Sequence, residues 1–204
     1  MNDYVVKGSV NSLNLLRLIL RWSVAPVALS EGLAQFYNRC KLVNSQWNLQ
    51  KFLWCPNLNP EGEIVEAIVK TLIYGVKSVS AQSEYALEQL ADIAETYDKE
   101  LAAFLRLCRY VDDLASSHLS FQKCLDLSQK ADELFSKVGL EVKGWVYSGQ
   151  DPPESVSKDG FSVSVAGSRC IPKLDAVEIK IPVLHLGKKS RGKLDENTVQ
   201  RAFC

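Results

Sequence analysis

The stretch that decides the fold is RYVDDLAS at residues 109–116. Its two adjacent carboxylates, Asp112 and Asp113, stand between apolar segments, and aspartate favours turns, so the pattern predicts a β-hairpin with both side chains at its turn. Adjacent like charges repel each other, and a divalent cation with oxygen ligands, such as Mg²⁺, relieves that repulsion. Two interpretations stay open at this point: a metal-binding carboxylate pair, or a plain solvated turn.

Helical patterns flank this hairpin on both sides. Residues 80–105 have helical spacing with a break near residues 96–98, and residues 120–138 predict a second long helix that Gly139 ends in the left-handed conformation. Residues 140–147 then predict a strand. The order helix, hairpin, helix, strand places the carboxylate pair between two helices.

The segments further from the hairpin complete an α+β pattern. We expect a helix over 13–22 that Asn11 and Ser12 can cap, a strand over 27–29, a brief helix within 32–43, and a hairpin of strands 48–54 and 63–74. Strands in antiparallel pairs with helices between them are typical of the α+β class. The turn-rich segment 148–159 and the short strands 161–166 and 177–183 predict two parts, a domain over 1–147 and a loop-rich basic extension over 148–204.

Charge is balanced overall and uneven along the chain. The 24 Lys and Arg residues match 24 Asp and Glu residues, which excludes a uniformly basic nucleic-acid binder. Two segments are basic: residues 1–55 and the tail from residue 169, in which lysine and arginine are densest at 188–193. The segment between them at 82–113 carries eight acidic residues against three basic ones. This pattern fits either solvated faces or a nucleic-acid surface around an acidic metal site.

Cysteine spacing and hydropathy bear on the compartment. The six cysteines form no Cys-x-x-Cys pair, so we expect free thiols, with Cys40, Cys108 and Cys124 in the core. We find neither a signal-peptide pattern in the first residues nor a run of about 18 apolar residues. The sequence therefore predicts an intracellular protein, cytoplasmic or nuclear, without a membrane partner.

Five segments in order resemble the palm of reverse transcriptases, and more narrowly the Bel/Pao group of retrotransposon polymerases. They are LRW at 20–22 with PVAL at 26–29, LQKFLW at 49–54, YGVKSVSA at 74–81, YVDD at 110–113 and GLEVKGW at 139–145. In that group the second segment is a finger hairpin, and the third borders the template and the incoming nucleotide. The resemblance runs from about residue 12 to about residue 147, so it implies partial fingers and a palm over 1–147.

The resemblance implies a role for each matching residue. Asp112 and Asp113 match the catalytic carboxylates that hold two Mg²⁺ or Mn²⁺ ions for nucleotidyl transfer. The other matching positions contact the nucleotide (Tyr37, which senses the sugar 2′ position, with Tyr74 and Gly75) or the primer and template (Tyr110, Lys143 and Trp145). The implied partners are an RNA or DNA template-primer, deoxynucleoside triphosphates and the remainder of a retrotransposon polyprotein.

The chain departs from the family at the third metal-binding carboxylate. An ungapped match from the Ala-Leu pair at 28–29 places Gly32 at that aspartate, and a one-residue gap places Glu31 there instead, with Phe36 in place of Tyr37. Neither is an aspartate, and most of the family's fingers would lie upstream of Met1. We therefore expect a reverse transcriptase-like domain whose RNA-directed DNA polymerisation is impaired or absent, and the alternatives are a non-catalytic nucleic-acid-binding module or a decayed mobile-element fragment.

Four tryptophans could stack on nucleic-acid bases or fill the core. Trp22, Trp47, Trp54 and Trp145 all sit in apolar stretches, so we expect core packing.

Overall fold

The structure is a computed structural model that describes residue 3 and residues 5–8, 15–56, 62–180 and 198–202. Its class is α+β, with helices and antiparallel sheets. The elements in chain order are α1 Leu15–Trp22, β1 Val27–Gly32, α2 Phe36–Arg39, β2 Lys51–Trp54, β3 Val65–Ile68, α3 Val79–Glu95, α4 Lys99–Leu107, β4 Arg109–Tyr110, β5 Asp113–His118, α5 Phe121–Val138, β6 Val146–Tyr147, β7 Val163–Val165, β8 Ser168–Ile171, β9 Ala176–Lys180 and β10 Thr198–Ala202.

The first sheet has the strand order β4-β5-β1-β6 and is antiparallel throughout. Helices α3 and α4 lie between β1 and β4 in the chain, and α5 lies between β5 and β6, which gives a β-α-β-β-α-β order. Helix α5 contacts both β1 and β5. The two central strands therefore have a helical layer on one face.

The second sheet packs against the first. Its order is β10-β9-β8-β7, and β7 contacts β1. Buried residues of β7 to β9, such as Val163, Cys170 and Val177, belong to the same hydrophobic cluster as Leu29 and Leu114 of the first sheet. The described part of the extension after residue 147 therefore docks on the first sheet.

Local capping sets the helix boundaries, and these confirm the predicted break and stop. Asp98 begins α4, because its carboxylate accepts hydrogen bonds from the amides of Glu100 and Leu101 at 3.0 Å. Ser120 caps α5 in the same way, and Gly139 ends that helix with φ +74°. Both long helices were predictable because these signals lie within a few residues of the helix ends.

Several predicted strands are shorter than expected. Residues 44–50 form a 3₁₀ helix, so the strand predicted over 48–54 begins at Lys51, and its partner spans Val65–Ile68 alone. The strand predicted over 140–147 is reduced to Val146–Tyr147, since Gly144 has φ +148°, a conformation that interrupts a strand. The sequence did not predict β8, because this strand has only four residues and begins directly after the tight turn at Gly167.

Some sequence predictions fall outside the described residues. These are the cap at Asn11 and Ser12, part of the turn at 55–62, the end of the strand predicted over 177–183, and the basic tail at 188–193. None of the helices in the described part of the chain has the length and apolar character that a membrane crossing requires.

The core lies between the first sheet, its helices and the second sheet. Cys108 and Cys124 are buried there and Cys40 packs against it, all as free thiols, as predicted. Trp22 is buried as well, but Trp54 is 47% exposed, so the prediction of core packing is wrong for that residue. All four residues of β2 are exposed because no further layer covers the hairpin of β2 and β3 in the described part of the chain.

Candidate carboxylate and lysine site

The turn between β4 and β5 carries the carboxylate pair. Val111 and Asp112 form the turn and Asp113 is the first residue of β5, so the turn lies one residue earlier than the sequence predicted. Val111 has φ +57°, which costs a β-branched residue on the order of 1–3 kcal/mol. The amide of Leu33 donates a hydrogen bond to the carbonyl oxygen of Asp112 at 2.8 Å, so the end of β1 holds the turn in place.

Asp113 is held from the second sheet. Its Oδ2 accepts a hydrogen bond from the amide of Ala166 at 2.6 Å. Ala166 and Gly167 both have positive φ, so they form the tight turn between β7 and β8 that aims this amide at the carboxylate. Burial raises the pKa of Asp113 to about 6, against the opposing effect of the hydrogen bond, and the charge of Asp112 raises it further.

Lys143 lies over Gly32 and reaches the carboxylate of Asp112. Its amide donates a hydrogen bond to the carbonyl oxygen of Gly32 at 2.8 Å, and its Nζ is 3.3 Å from Oδ2 of Asp112. A Cβ atom added to Gly32 would lie 3.0 Å from that Nζ and 3.1 Å from Oδ1 of Asp113. We refer to Gly32, Asp112, Asp113 and Lys143 as the carboxylate–lysine cluster.

Glu31 lies on the other face of the sheet. Gly32 is directly opposite Asp113 in the register of β1 and β5, whereas Glu31 is opposite Leu114. Side chains of directly opposite residues share a face and successive side chains alternate, so Glu31 points toward the helices with Leu114. The structure therefore does not bring Glu31 onto the face of Asp113.

The surroundings of Glu31 keep its carboxyl group neutral. The side chain is 3% exposed, and neither carboxyl oxygen has a hydrogen-bond partner among the described residues. Burial raises the pKa of Glu31 to about 9, and the negative charges of Asp113 and Asp132 add to that shift. A group that is neutral at pH 7 supplies no charge to a cation on the opposite face.

The two tyrosines predicted to contact a nucleotide lie together. The rings of Tyr37 and Tyr74 meet edge to face, with 4.7 Å between their centroids. Burial raises the pKa of Tyr37, and the negative charge of Asp112 also raises it. Tyr37 is thus near the cluster, and Phe36, the alternative aromatic, is buried beside it. Gly75 follows Tyr74 with φ +84°, so it forms a turn that a side chain would strain.

Two further residues predicted to contact primer or template, Tyr110 and Trp145, differ in their position relative to the cluster. Tyr110 is directly opposite Asp113 in the hairpin, so the two side chains share a face. The indole of Trp145 donates hydrogen bonds to the carboxylate of Asp132 on α5 at 2.9 and 3.0 Å, and its ring lies near Phe104. Trp145 therefore belongs to the helical layer, away from the cluster.

The hairpin of β2 and β3 exposes an aromatic surface that includes Trp54, which the sequence predicted in the core. Phe52 and Trp54 are 43% and 47% exposed, with their rings edge to face. Two lysines of this region have other partners: the Nζ of Lys51 contacts Glu66 at 2.7 Å, and that of Lys70 lies 4.4 Å from the centre of the Trp47 ring. Alternating exposed aromatics on a short hairpin are the signal that could have predicted it.

A cleft of about 730 Å³ lies between the loop at 40–46 and α3. Its wall includes Arg109, which forms an ion pair with Glu88 at 2.8 Å. None of the cluster residues lines it. The cleft and the cluster are therefore separate features.

The cluster does not fit a two-ion site. Two-metal nucleotidyl transfer needs carboxylates that neutralise both ions. Here an ammonium group contacts Asp112 of the pair, and a glycine stands where a third carboxylate would face it. Within the described residues, no three His, Cys, Asp or Glu side chains form a group that could hold a metal ion.

No protein-family model matches the chain, and no curated protein matches its sequence closely enough to count as a relative. Arguments about function therefore start from the contacts of the cluster and of the exposed hairpin.

Proposed function

We propose that this chain is a reverse transcriptase-like palm of Bel/Pao retrotransposon descent that binds a primer-template and does not itself catalyse RNA-directed DNA polymerisation. The observation that carries this proposal is the register of β1 and β5. It puts Gly32, instead of a carboxylate, directly opposite Asp113 at the turn of the YVDD hairpin.

Three features support the palm. The first sheet follows a β-α-β-β-α-β order, and the YVDD turn lies between its edge strand β4 and the next strand, β5. The central strand β1 ends beside that turn. Tyr37 and Tyr74, the residues implied to contact the nucleotide, lie together near Asp112.

The charges around Asp112 and Asp113 argue against catalysis by this chain alone. An ion that bridges an attacking oxygen and a triphosphate needs several negatively charged ligands at once. The cluster offers two carboxylates, one of which contacts Lys143, and Glu31 is turned to the other face of the sheet. Binding without chemistry is the function these residues support.

The exposed hairpin is suited to a single-stranded template. Stacking of a base on an aromatic side chain contributes about 1–3 kcal/mol, and lysines beside the rings can contact phosphates. Phe52 and Trp54 offer such rings, and Lys51 precedes Phe52 on β2.

Binding can be tested by fluorescence anisotropy with a labelled primer-template that has a single-stranded overhang. We expect binding at low ionic strength that weakens as salt rises, and a loss of roughly 5-fold to 100-fold in affinity for Trp54→Ala. Tyr97→Ala is the matched control, since Tyr97 is 59% exposed in the link between α3 and α4. Absence of binding at low salt, or equal losses for both variants, contradicts the proposal.

Catalysis can be tested separately by primer extension with Mg²⁺ or Mn²⁺. We expect no extension above that of a preparation carrying Asp112→Asn and Asp113→Asn together. Extension by the unaltered chain that disappears in the double variant would overturn the non-catalytic part of the proposal and leave the palm in place.

A further inference from the structure

The space above Gly32 is filled by a cation of the chain itself. The point where a Cβ atom of residue 32 would stand is 3.0 Å from Nζ of Lys143, 3.2 Å from its Cδ and 3.1 Å from Oδ1 of Asp113. Distances this short leave no room for a side chain unless the lysine moves. Glycine at position 32 is therefore what allows the lysine to lie there.

The backbone fixes this arrangement. The amide of Lys143 donates to the carbonyl oxygen of Gly32, and the neighbouring amide of Ala34 donates to the carbonyl oxygen of Glu141 at 2.7 Å. The segment before β6 is thus bonded to the end of β1 by two hydrogen bonds. The lysine stem has a short path from there to Asp112.

We propose that the ammonium group of Lys143 takes the place of a divalent cation at Asp112 and Asp113. The inference rests on the proposed function, because it explains how a palm keeps its carboxylate pair together without an ion. Lys143 then acts as a fixed counter-ion that keeps metal ions away from the pair.

One oxygen atom of each carboxylate already has a partner. Oδ2 of Asp112 contacts the ammonium group at 3.3 Å, and Oδ2 of Asp113 accepts the hydrogen bond from the amide of Ala166. Oδ1 of Asp113 and the ammonium group both lie within 3.1 Å of the point where a Cβ atom of residue 32 would stand. A divalent ion that approached both carboxylates would have to displace the lysine, because like charges repel at such distances.

The inference is tested by titrating the purified chain with Mn²⁺ alone, followed by calorimetry and by the electron paramagnetic resonance signal of free Mn²⁺. We expect weak binding by the unaltered chain and at least 10-fold tighter binding by Lys143→Met, which keeps most of the stem and removes the charge. Lys143→Arg keeps the charge and should stay as weak as the unaltered chain. Lys173→Met, which breaks the exposed pair with Asp151, should also change nothing.

A second substitution locates the ion. Combining Lys143→Met with Asp112→Asn should remove the gain, because the site then has a single carboxylate. Equal Mn²⁺ affinity of the unaltered chain and Lys143→Met, whether weak or tight, overturns the inference. So does a gain that survives the Asp112→Asn substitution.

Thermal unfolding of each variant accompanies the titration. If Lys143→Met fails to unfold cooperatively, Lys143→Gln takes its place, with the same expected gain and the same contrary outcomes. The titration contains no nucleic acid, so its result is independent of primer-template binding. Failure of the inference and failure of the proposed function are therefore distinguishable.

Discussion

Two carboxyl groups lie one register position apart in the first sheet and have opposite surroundings. Asp113, across from Gly32, accepts a hydrogen bond and lies beside Lys143. Glu31, across from Leu114, points into the helical layer, and none of the described residues forms a hydrogen bond with its carboxyl group. The pKa of Asp113 rises to about 6 and that of Glu31 to about 9, in both cases chiefly because of burial.

This difference shows that the two faces of the first sheet surround a carboxyl group differently. On the face of Asp113, a backbone amide donates a hydrogen bond to this carboxylate, and a lysine contacts its neighbour Asp112. On the face of Glu31, the protein stabilises only the neutral form of the acid, since a buried and unpaired carboxylate is expensive. The face that carries Asp113 is therefore the one that can bind a charged partner. Burial of Glu31 lowers the stability of the fold when this carboxyl group is ionised.

The largest effect expected from this comparison is on the pH dependence of unfolding. The folded pKa of Glu31 is about 9 against an ordinary 4.5, so between these values the folded protein holds a proton that the unfolded chain has released. Stability therefore falls as pH rises through this window, by about 2 kcal/mol between pH 7 and pH 8.5. Glu31→Gln should remove that loss, as measured by urea unfolding at the two pH values.

The matched control is Glu154→Gln, because Glu154 is exposed. It should keep the full pH dependence of the unaltered chain. Other groups that titrate in the same window affect all three proteins alike, so the difference between them isolates Glu31. A Glu31→Gln variant as sensitive to pH as the unaltered chain would mean that Glu31 is ionised in the fold.

A smaller effect on the free energy of unfolding is expected at Asp113, whose side chain accepts a hydrogen bond. At pH 7.5, Asp113→Asn keeps an oxygen for the amide of Ala166, whereas Asp113→Ala leaves that amide without its acceptor. The alanine variant should be less stable than the asparagine variant by about 1–2 kcal/mol in urea unfolding. The same two substitutions at Asp112, which contacts a lysine at 3.3 Å, should differ by less than ~0.5 kcal/mol. Equal differences at both positions would contradict the asymmetry of the pair.

The parts of the fold that the sequence predicted depend on short-range signals. The break at Asp98, the cap at Ser120, the stop at Gly139 and the hairpin around Asp112 each involve residues a few positions apart. Such signals act through backbone conformation and local hydrogen bonds, so they can be read without knowing the fold. The α+β class followed from their order.

The features that the sequence did not predict depend on strand register and on distant contacts. The sequence left Gly32 and Glu31 as alternatives for one position, and the pairing of β1 with β5 puts Gly32 opposite Asp113. Shifting that pairing by one residue would exchange the faces of the two side chains. The hydrogen bond from the amide of Ala166 to Asp113 joins residues 53 positions apart, so no local sequence pattern predicts it.

The smallest expected effect concerns the contact between Gly32 and Lys143. Gly32→Ala places a methyl group about 3 Å from the ammonium group, and the flexible lysine can move aside, so the cost should stay below ~1 kcal/mol. The cost should shrink when Lys143→Ala is already present, which gives a coupling of about 0.5 kcal/mol in a double-mutant cycle measured by urea unfolding. Gly149→Ala in the same backgrounds is the control, because nothing lies within 4 Å of its added Cβ atom and its positive φ makes the cost independent of Lys143. Zero coupling at Gly32 would show that the lysine does not depend on the glycine, and the two residues would then be unrelated features of this face.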